Sequence, residues 1–522
     1  MFAYSIETHK LTPDAVYWSQ HALSAVAPGV LTPFSFSVLA EIARRSWYNY
    51  YDRLGFEPHP GRRLLRQYNG RAYLNLSVSA QIEAERAGVE PLTLWFNDLP
   101  TPLATRPKSG LLAAFKTNRS QKRIATLLTE LSNELAQIEQ RARAWYTKTQ
   151  ELRWTQAEIL QVMEEIERVG ADSLMVFLAA RHNLMLLYNR TYQMLRAHSG
   201  HTASWTQTDA LLGQADALHE LDMARQVEEM AAMLRSTRQA DPALAEWFQA
   251  GQWADWRQTL PAGALKGALT TFFDQHGRRC ALEGELAHPR WQEGPTPVLQ
   301  AVRLCAGRDA MDMASKVAAQ PAPTSNQLGA AAQKQSAQWE QEAATLHALQ
   351  SRALSVFSYI QAGTRTWALA AAKEAMSDGR LTGIEQVFYF ELEEIKQMMT
   401  GEWNISSLAE IHATAAARKA QHQAWCDVAA NPLLVGDAEA VPESSFAPAP
   451  DVDGVICLDQ TRALSVPEVV AAPCFIQLDQ LSTGDAIWLP LADGFLLNSE
   501  TPFDPSTIAA RRCGRQLYLG SA

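Results

Sequence analysis

The sequence predicts a mainly α multi-helix domain followed by a small C-terminal α/β domain. Between about residues 118 and 250, and again between about 336 and 378, apolar residues recur at three- and four-residue steps, as in an amphipathic helix. Residues 435–452 lack this period and are rich in proline, alanine and acidic residues, which is typical of a linker. After the linker, short apolar runs broken by glycine, proline and aspartate favour strands. The predicted divisions are an N-terminal segment, a helical domain, a linker and a C-terminal domain, at 1–117, 118–434, 435–452 and 453–522.

Composition limits the possible partners. The 522 residues are 47% hydrophobic and 20% charged, and the formal net charge is -10. Because nucleic-acid-binding proteins usually present a basic face, this balance argues against a nucleic-acid partner. One short basic cluster is either a solvated loop and helix start or an anion site: Arg106, Lys108, Lys116, Arg119, Lys122 and Arg123.

Targeting, membrane and cofactor signals were also sought. The N-terminus MFAYSIETHKL has no basic region before an apolar core, so no signal peptide is predicted. No run of about 18 apolar residues occurs, which argues against a membrane partner. The six cysteines form no CxxC pair, which favours reduced thiols and a cytoplasmic location. No phosphate-binding loop or HExxH is present, and Glu285 with His288 forms only a single ExxH, so we predict no cofactor and no metal.

The N-terminal segment carries two ordered stretches. PGVLTPFSFS, at residues 28–37, has prolines, a glycine and hydroxyls, and predicts a turn before a helix that begins near Ser37. YNGRAYLNLS, at residues 68–77, alternates enough to predict a strand or an extended arm.

The helical domain opens with an amphipathic helix from about residue 118. Thr155 and Glu158 have capping-box spacing and start a second helix, which Gly170 is predicted to close. The following helix, at about 172–197, is apolar on nearly every side, so we expect it at the centre of a bundle. Arg181 and His182 interrupt that helix; His182 fits a hydrogen-bonded core residue better than a catalytic one.

The second half of the helical domain follows a polar, proline-bearing connection at 317–335. Two helices are predicted from about 336 to 378. Thr382 and Glu385 are predicted to cap a short turn before the closing helices.

Residues 277–293, GRRCALEGELAHPRWQE, combine charge and rigidity without helix or strand periodicity. One interpretation is an ion-paired corner in which Arg279 pairs with Glu283 and Arg290 with Glu293. The other is a binding site in which the guanidinium groups hold a carboxylate or phosphate.

The C-terminal domain is predicted to be mixed. The runs GVICLDQ, PCFIQLDQ, DAIWLPL and GFLLN predict strands, residues 506–514 predict a helix, and QLYLG predicts a last strand.

Three motifs, in the same order along the chain, resemble the phosphoenolpyruvate-utilising dikinases, especially the phosphoenolpyruvate synthase and rifampicin phosphotransferase group. They are P-G-x-x-T-P-x-x-x-S at 28–37, N-G-R-x-Y-x-N at 69–75, and G-x-R-C-x-x-E with P-R-W-x-E at 277–293. The resemblance implies that the helical domain holds the acceptor side of phosphoryl transfer. We predict these substrate-binding residues from the motifs and the closing helices: Arg71, Arg279, Glu283, Arg290, Trp291 and Arg365.

In this family the motifs follow an ATP-grasp domain, whereas here the first begins at Pro28, so we predict that the ATP-binding part is absent. The family's last domain is a swivelling carrier with the signature T-G-G-x-x-S-H-x-A-I-x-A-R-E-x-G-I-P. Aligning Ile508, Ala510 and Arg511 with its tail puts Pro505 at the phosphohistidine position. Proline has no nucleophilic side chain, so the alignment predicts a degenerate carrier without phosphohistidine transfer.

Three functions stay open on this reasoning, and whether the protein is an enzyme stays open with them. The first is a repurposed small-molecule-binding or biosynthetic-pathway protein that holds an organic or anionic ligand in the helical domain. The second is a non-catalytic scaffold or partner subunit that docks a protein of the same pathway. The third is the acceptor half of a split phosphotransferase.

Overall fold

A computed structural model confirms the helical part of the predicted fold class, since most of the residues that it describes lie in helices. The structure describes residues 4–5, 17–19, 23, 26–27, 29–55, 64–75, 111–199, 211–212, 219–237, 241–251, 253–280, 282–306, 329–400, 408–428, 433–435, 447–448, 455–457, 476–477, 486–488, 496–498, 508–513 and 516–521.

The secondary-structure elements have these bounds. The α-helices are α1 (Pro33–Leu54), α2 (Leu111–Glu151), α3 (Gln156–Ser199), α4 (His219–Thr237), α5 (Pro242–Ala250), α6 (Trp256–Thr259), α7 (Ala264–His276), α8 (Thr296–Ala306), α9 (Ala330–Ser377), α10 (Leu392–Thr400) and α11 (Leu408–Cys426). The strands are β1 (Tyr4–Ser5), β2 (Tyr17–Ser19), β3 (Leu65–Tyr68), β4 (Arg71–Asn75), β5 (Leu433–Val435), β6 (Ala447–Pro448), β7 (Val455–Cys457), β8 (Ile476–Gln477), β9 (Ala486–Trp488), β10 (Leu496–Asn498), β11 (Ile508–Cys513) and β12 (Gln516–Ser521).

Helix α1 begins four residues before the predicted start near Ser37. Thr32 is its N-cap, with a side-chain oxygen that accepts from the Ser35 backbone N–H, and Pro33 occupies the first turn. Proline suits that position because the N–H it lacks has no partner within the helix. The helix ends at Gly55, whose φ of 78° is left-handed.

The predicted strand at residues 68–77 is half of a β-hairpin formed by β3 and β4. Asn69 and Gly70 link the strands with φ values of 46° and 73°, the left-handed pair of a type I′ turn. The hairpin extends into a four-stranded antiparallel sheet in the order β3-β4-β2-β5. Because β2 pairs with β5, this sheet joins the beginning of the chain to the residues that follow α11.

Helices α2 and α3 pack together in a bundle with α1 and α9. The capping box that starts α3 is confirmed: the Glu158 carboxylate accepts from the backbone N–H and the hydroxyl of Thr155, at 2.7 Å and 2.9 Å. The prediction that Gly170 ends this helix is wrong. Gly170 lies inside α3, where an added Cβ would stand 2.7 Å from Ile42 Cδ1, so the glycine allows close helix packing.

The expected central position of the segment after Gly170 is confirmed, because residues 173–184 are all buried. They pack between α1 and α9 in the main core. A second core lies between α4, α5, α6, α7 and α8 and is rich in aromatic side chains, among them Phe248, Trp253, Trp256, Phe272 and Trp291.

The two helices predicted between 336 and 378 are one continuous helix, α9, which begins within the predicted connection. It runs antiparallel to α3: Trp367 Nε1 donates to the Ile159 carbonyl at 2.7 Å, and Ile360 packs at Gly170. After α9, a 3-10 helix spans Ile384–Tyr389. Its start is fixed by Gln386, whose side-chain oxygen accepts from the Thr382 backbone N–H, where Glu385 was the predicted cap.

In the C-terminal part the four predicted strand runs and the last strand are present as β7, β8, β9, β10 and β12. The helix predicted at residues 506–514 is wrong, since Ile508–Cys513 is strand β11. It pairs antiparallel with β12, from Ile508 opposite Ser521 to Cys513 opposite Gln516. The described part of 453–522 consists of strands, and the α/β swivelling domain stays a prediction; Pro505 lies outside the described residues.

None of the described helices has the length and the apolar character that crossing a membrane requires.

Two helical glycines give a matched test of this packing. In α9 a Cβ added to Gly363 would stand 2.4 Å from Trp145 Cζ3, whereas one added to Gly267 of α7 would have no atom within 4 Å. We expect Gly363→Ala to lower the free energy of unfolding by about 1–3 kcal/mol through overpacking. Gly267→Ala should raise it by about 0.5–1 kcal/mol, because alanine is the better helix former. Urea unfolding followed by far-UV circular dichroism measures both, and equal shifts would contradict the α2/α9 contact.

Candidate functional site

Residues 277–294, which we name the corner loop, connect α7 to α8 as a closed turn. The Trp291 backbone N–H donates to the Arg279 carbonyl, and that of Gln292 to the Gly277 carbonyl, both at 2.8 Å. The two ends of the loop therefore meet, as in an Ω-loop packed by its own side chains. Gly284 lies against the chain at Val26, where an added Cβ would stand 2.1 Å from the Val26 carbonyl oxygen.

Inside the corner loop, Arg279 and Glu283 form the predicted ion pair. Arg279 Nε lies 2.5 Å from Glu283 Oε1, and Nη2 lies 3.3 Å from Oε2. Both side chains are buried, with Arg279 only 1% exposed. The two-pronged contact satisfies a charge that would be costly to bury alone.

The predicted pair between the Arg290 and Glu293 side chains is not formed. The Arg290 guanidinium donates to the Glu283 carbonyl at 3.2 Å from both terminal nitrogens and also contacts Cys280 Sγ. Trp291, which is 1% exposed, stacks near Phe272 with ring centroids 6.2 Å apart. The prediction failed because residue spacing does not show that Glu293 points towards α9.

Glu293 pairs instead with Arg365 of α9. Arg365 Nε and Nη2 hold the Glu293 carboxylate at 3.0 Å and 2.8 Å, and Nη1 donates to the carbonyls of Leu286 and Ala287 at 2.7 Å and 3.0 Å. One guanidinium thus binds the loop at two places and fixes it to the bundle.

Glu285, which sequence reasoning treated only as part of a weak metal motif, fixes the loop to α1. Its carboxylate accepts from the Thr32 backbone N–H at 2.6 Å, the Thr32 hydroxyl at 2.9 Å and the Ser35 hydroxyl at 2.8 Å. The Ala287 backbone N–H adds a fourth contact at 2.7 Å. A carboxylate is favoured at a helix N-terminus, where backbone N–H groups lack partners. The T-P-x-S start of α1 was the signal for this contact.

Arg71 lies apart from the corner loop, at the end of α11. Its guanidinium donates to the carbonyls of Trp425 and Val428, at 3.3 Å and 2.8 Å, and burial lowers its pKa. The hairpin is joined to the start of α1 by the Leu31 backbone N–H, which donates to the Gly70 carbonyl at 2.8 Å. Five of the six predicted substrate-binding residues therefore lie in or against the corner loop, and Arg71 does not. The five are Arg279, Glu283, Arg290, Trp291 and Arg365.

Most hydrogen-bond donors and acceptors of the predicted substrate-binding residues are therefore bonded to other groups of the protein. The geometry of the corner loop favours the ion-paired corner, and its role in substrate binding stays a prediction. The loop does contain one half-buried imidazole, His288. Burial, with the positive charges of Arg290 and Arg365, lowers the pKa of His288 to about 4.

A second set of polar groups lies inside the bundle, and sequence reasoning found only part of it. Gly170 and Ile360 mark one contact level of the antiparallel pair α3 and α9. Moving about 18 Å along both helices, at about 1.5 Å per residue, puts residue 182 level with residue 348. Near this level, Leu184 of α3 lies in one cluster with Ala343 and Leu346 of α9. We name the buried polar side chains of both helices around it the polar layer: Arg181, His182, Asn183, His347, Gln350 and Ser351.

Helix α1 adds a hydroxyl to the polar layer. Tyr50 Oη lies 2.9 Å from His182 Nδ1 and accepts from Asn183 Nδ2 at 3.2 Å. The Tyr50 hydroxyl therefore links the side chains of His182 and Asn183. The hydrogen bond expected for a core His182 is present.

Residues 172–359 match a family model described as the rifampicin phosphotransferase fourth domain. The match confirms the predicted resemblance to the phosphoenolpyruvate-utilising dikinases over this part of the chain. It includes the corner loop and the polar layer, but not Arg71 or Arg365. No curated protein matches the chain.

The four contacts of Glu285 predict its importance for stability. We expect Glu285→Gln to lower the free energy of unfolding by about 2–3 kcal/mol, because the amide turns an N–H group towards donors. Glu41→Gln, which removes an exposed carboxylate of α1 paired with Arg44, should change it by less than about 0.5 kcal/mol. Urea unfolding of both variants is the measurement, and similar losses would contradict the anchoring role.

The lowered pKa of His288 predicts a pH dependence. An unfolded histidine titrates near pH 6.5, so a falling pH protonates the unfolded state before the folded state. The stability that neutral His288 confers is therefore fully present above about pH 6.5. It is lost as the pH falls to about 4, the pKa of His288 in the folded protein. Between these values wild type should lose up to about 3 kcal/mol more than His288→Gln. Unfolding free energies measured across this range test the expectation, and parallel pH curves for the two proteins would refute it.

Proposed function

We propose that this chain, whose residues 172–359 match the rifampicin phosphotransferase fourth domain, binds an organic molecule with hydrogen-bonding groups in its helical domain. In this proposal it is a divergent relative of phosphoenolpyruvate synthase and rifampicin phosphotransferase, repurposed as a small-molecule-binding or biosynthetic-pathway protein without phosphohistidine transfer.

The polar layer carries the proposal. Polar side chains are uncommon in the core of a helical bundle, so six of them near one level place a group of hydrogen-bonding side chains inside an otherwise apolar helix pair. Ligand sites in helical bundles are built in this way, from side chains of facing helices. All six residues lie in the segment that matches the family.

Two observations support the absence of phosphohistidine transfer. The carrier histidine aligns with Pro505, which has no group that accepts a phosphoryl unit. The segment that follows is strand β11, whereas a helix N-terminus would help to hold a phosphate there.

The arginines of the predicted substrate site in and beside the corner loop already have protein partners. This favours a second candidate, a scaffold that docks a protein partner of the same pathway. Arg279 and Arg365 each pair with a carboxylate of the loop, and Arg290 donates to a loop carbonyl. A domain held in this way can keep its shape without a ligand.

Rifampicin binding, measured by isothermal titration calorimetry, tests the proposal. Gln350→Met and Gln361→Met make the same nearly isosteric change on α9, but only Gln350, which is 1% exposed, belongs to the polar layer. Losing one hydrogen bond to a ligand corresponds to about 1.4 kcal/mol, so Gln350→Met should weaken binding about tenfold and Gln361→Met less than about twofold.

Two further results bear on the test. We expect no phosphorylated rifampicin when the chain is incubated with ATP, Mg²⁺ and rifampicin, and its detection by mass spectrometry would refute the absence of phosphotransfer. No binding of rifampicin, phosphoenolpyruvate or ATP, with a protein partner retained in native mass spectrometry, would favour the scaffold.

A further inference from the structure

Arg278 is a buried cation that no part of the proposed function uses. It is 6% exposed, and among the residues that the structure describes it pairs with no carboxylate. Its Nε donates to Ser358 Oγ at 2.9 Å, Nη2 donates to Ser355 Oγ at 3.0 Å, and Nη1 donates to the Gln275 carbonyl. Burial lowers the pKa of Arg278 to about 10, which leaves it charged at neutral pH.

An aromatic and polar shelf lies beside this guanidinium. Arg278 Cζ stands 3.7 Å from the ring centroid of Tyr359, and Arg143 Cζ of α2 stands 5.3 Å from the same centroid. The rings of Tyr146 and Tyr359 are 5.7 Å apart. The exposed Gln292 side chain and the Tyr146 hydroxyl hydrogen-bond to each other, with Nε2 donating to Oη at 3.0 Å and Oη donating to Oε1 at 3.3 Å, so a phenol and an amide lie at the edge.

The charges around the shelf do not balance. Glu139 accepts from both Arg143 and Arg352, at 2.6 Å and 2.9 Å, so one carboxylate serves two guanidinium groups. Two further carboxylates, Glu293 and Glu283, are already held by Arg365 and Arg279. With Arg278, and counting only the residues that the structure describes, three positive charges therefore face one negative charge, although the whole chain carries -10.

We propose that this shelf, formed by Arg278, Arg143, Tyr146 and Gln292 around Tyr359, binds a phosphate-type oxyanion of charge about -2. The local excess of two positive charges matches such an ion. Arg278, whose Nε, Nη1 and Nη2 donate to protein groups, contributes its charge, and the exposed guanidinium of Arg143 suits phosphate oxygens. The partly exposed donors of Tyr146 and Gln292 give the ion access from solvent. This site is distinct from the polar layer and does not depend on the proposed function.

A purely structural role for Arg278 makes a different prediction. Its contacts with Ser355 and Ser358 fix the corner loop to α9 and would be sufficient without any ion. In that case, changes at Arg143 or Tyr146 would leave the affinity of the protein for phosphate unchanged.

Calorimetric titration of the full chain with inorganic phosphate at low ionic strength distinguishes the two. Arg143→Gln and Arg141→Gln are matched: both arginines lie on α2, are 59% and 58% exposed, and pair with a carboxylate. We expect Arg143→Gln to weaken phosphate binding at least about fivefold and Arg141→Gln less than about twofold, since residues two apart on a helix do not share a face. Tyr146→Phe should weaken it about threefold through one lost hydrogen bond.

Equal effects of the two arginine variants, or no phosphate binding by the wild type, would overturn the proposal. Circular dichroism of each variant controls for folding. Phosphate binding that survives in Gln350→Met would show that the shelf stands independently of rifampicin binding.

Discussion

The carboxylate of Glu285 at the start of α1 is the contact on which the arrangement of the two cores depends. The first turn of a helix leaves backbone N–H groups without partners inside the helix. At the start of α1, the Glu285 carboxylate, which lies more than two hundred residues later in the chain, supplies the acceptor. Arg365 adds the same kind of contact from α9, since its guanidinium binds both Glu293 and the backbone of the loop. The corner loop is therefore held from two sides, which explains why an irregular segment can stay ordered while it is buried.

In and beside the corner loop, two buried arginines are neutralised by carboxylates of the protein itself. Buried ion pairs add little net stability compared with apolar packing, but removing one partner leaves a costly charge. Arg279 with Glu283 fits this description, and so does Arg365 with Glu293. Arg278 is the exception, because its described acceptors are uncharged, and this difference between neighbouring arginines suggests an anion from solution.

The polar layer differs from the corner loop in its place in the fold. It lies between the long helices α3 and α9, at the level where Tyr50 of α1 contacts His182. A helical core gains stability from apolar contacts, so polar groups gathered at one level have either a structural or a binding role. Its position within the segment similar to the rifampicin phosphotransferase domain agrees with the binding role proposed for it, and the shelf proposed for an anion is a separate site.

The sequence alone determined the helical class, the capping box at Thr155, the central position of the segment after Gly170, and the family resemblance. Each of these depends on local periodicity, on spacing or on a motif. Tertiary structure decided the rest: Gly170 ends no helix because it packs against Ile42, and Ile508–Cys513 is a strand because β12 pairs with it. It also decided the charge partners, since the acceptor of a guanidinium is set by which elements meet in space. Sequence spacing therefore gave the pair of Arg279 with Glu283, four residues away, but could not show that Glu293 binds Arg365.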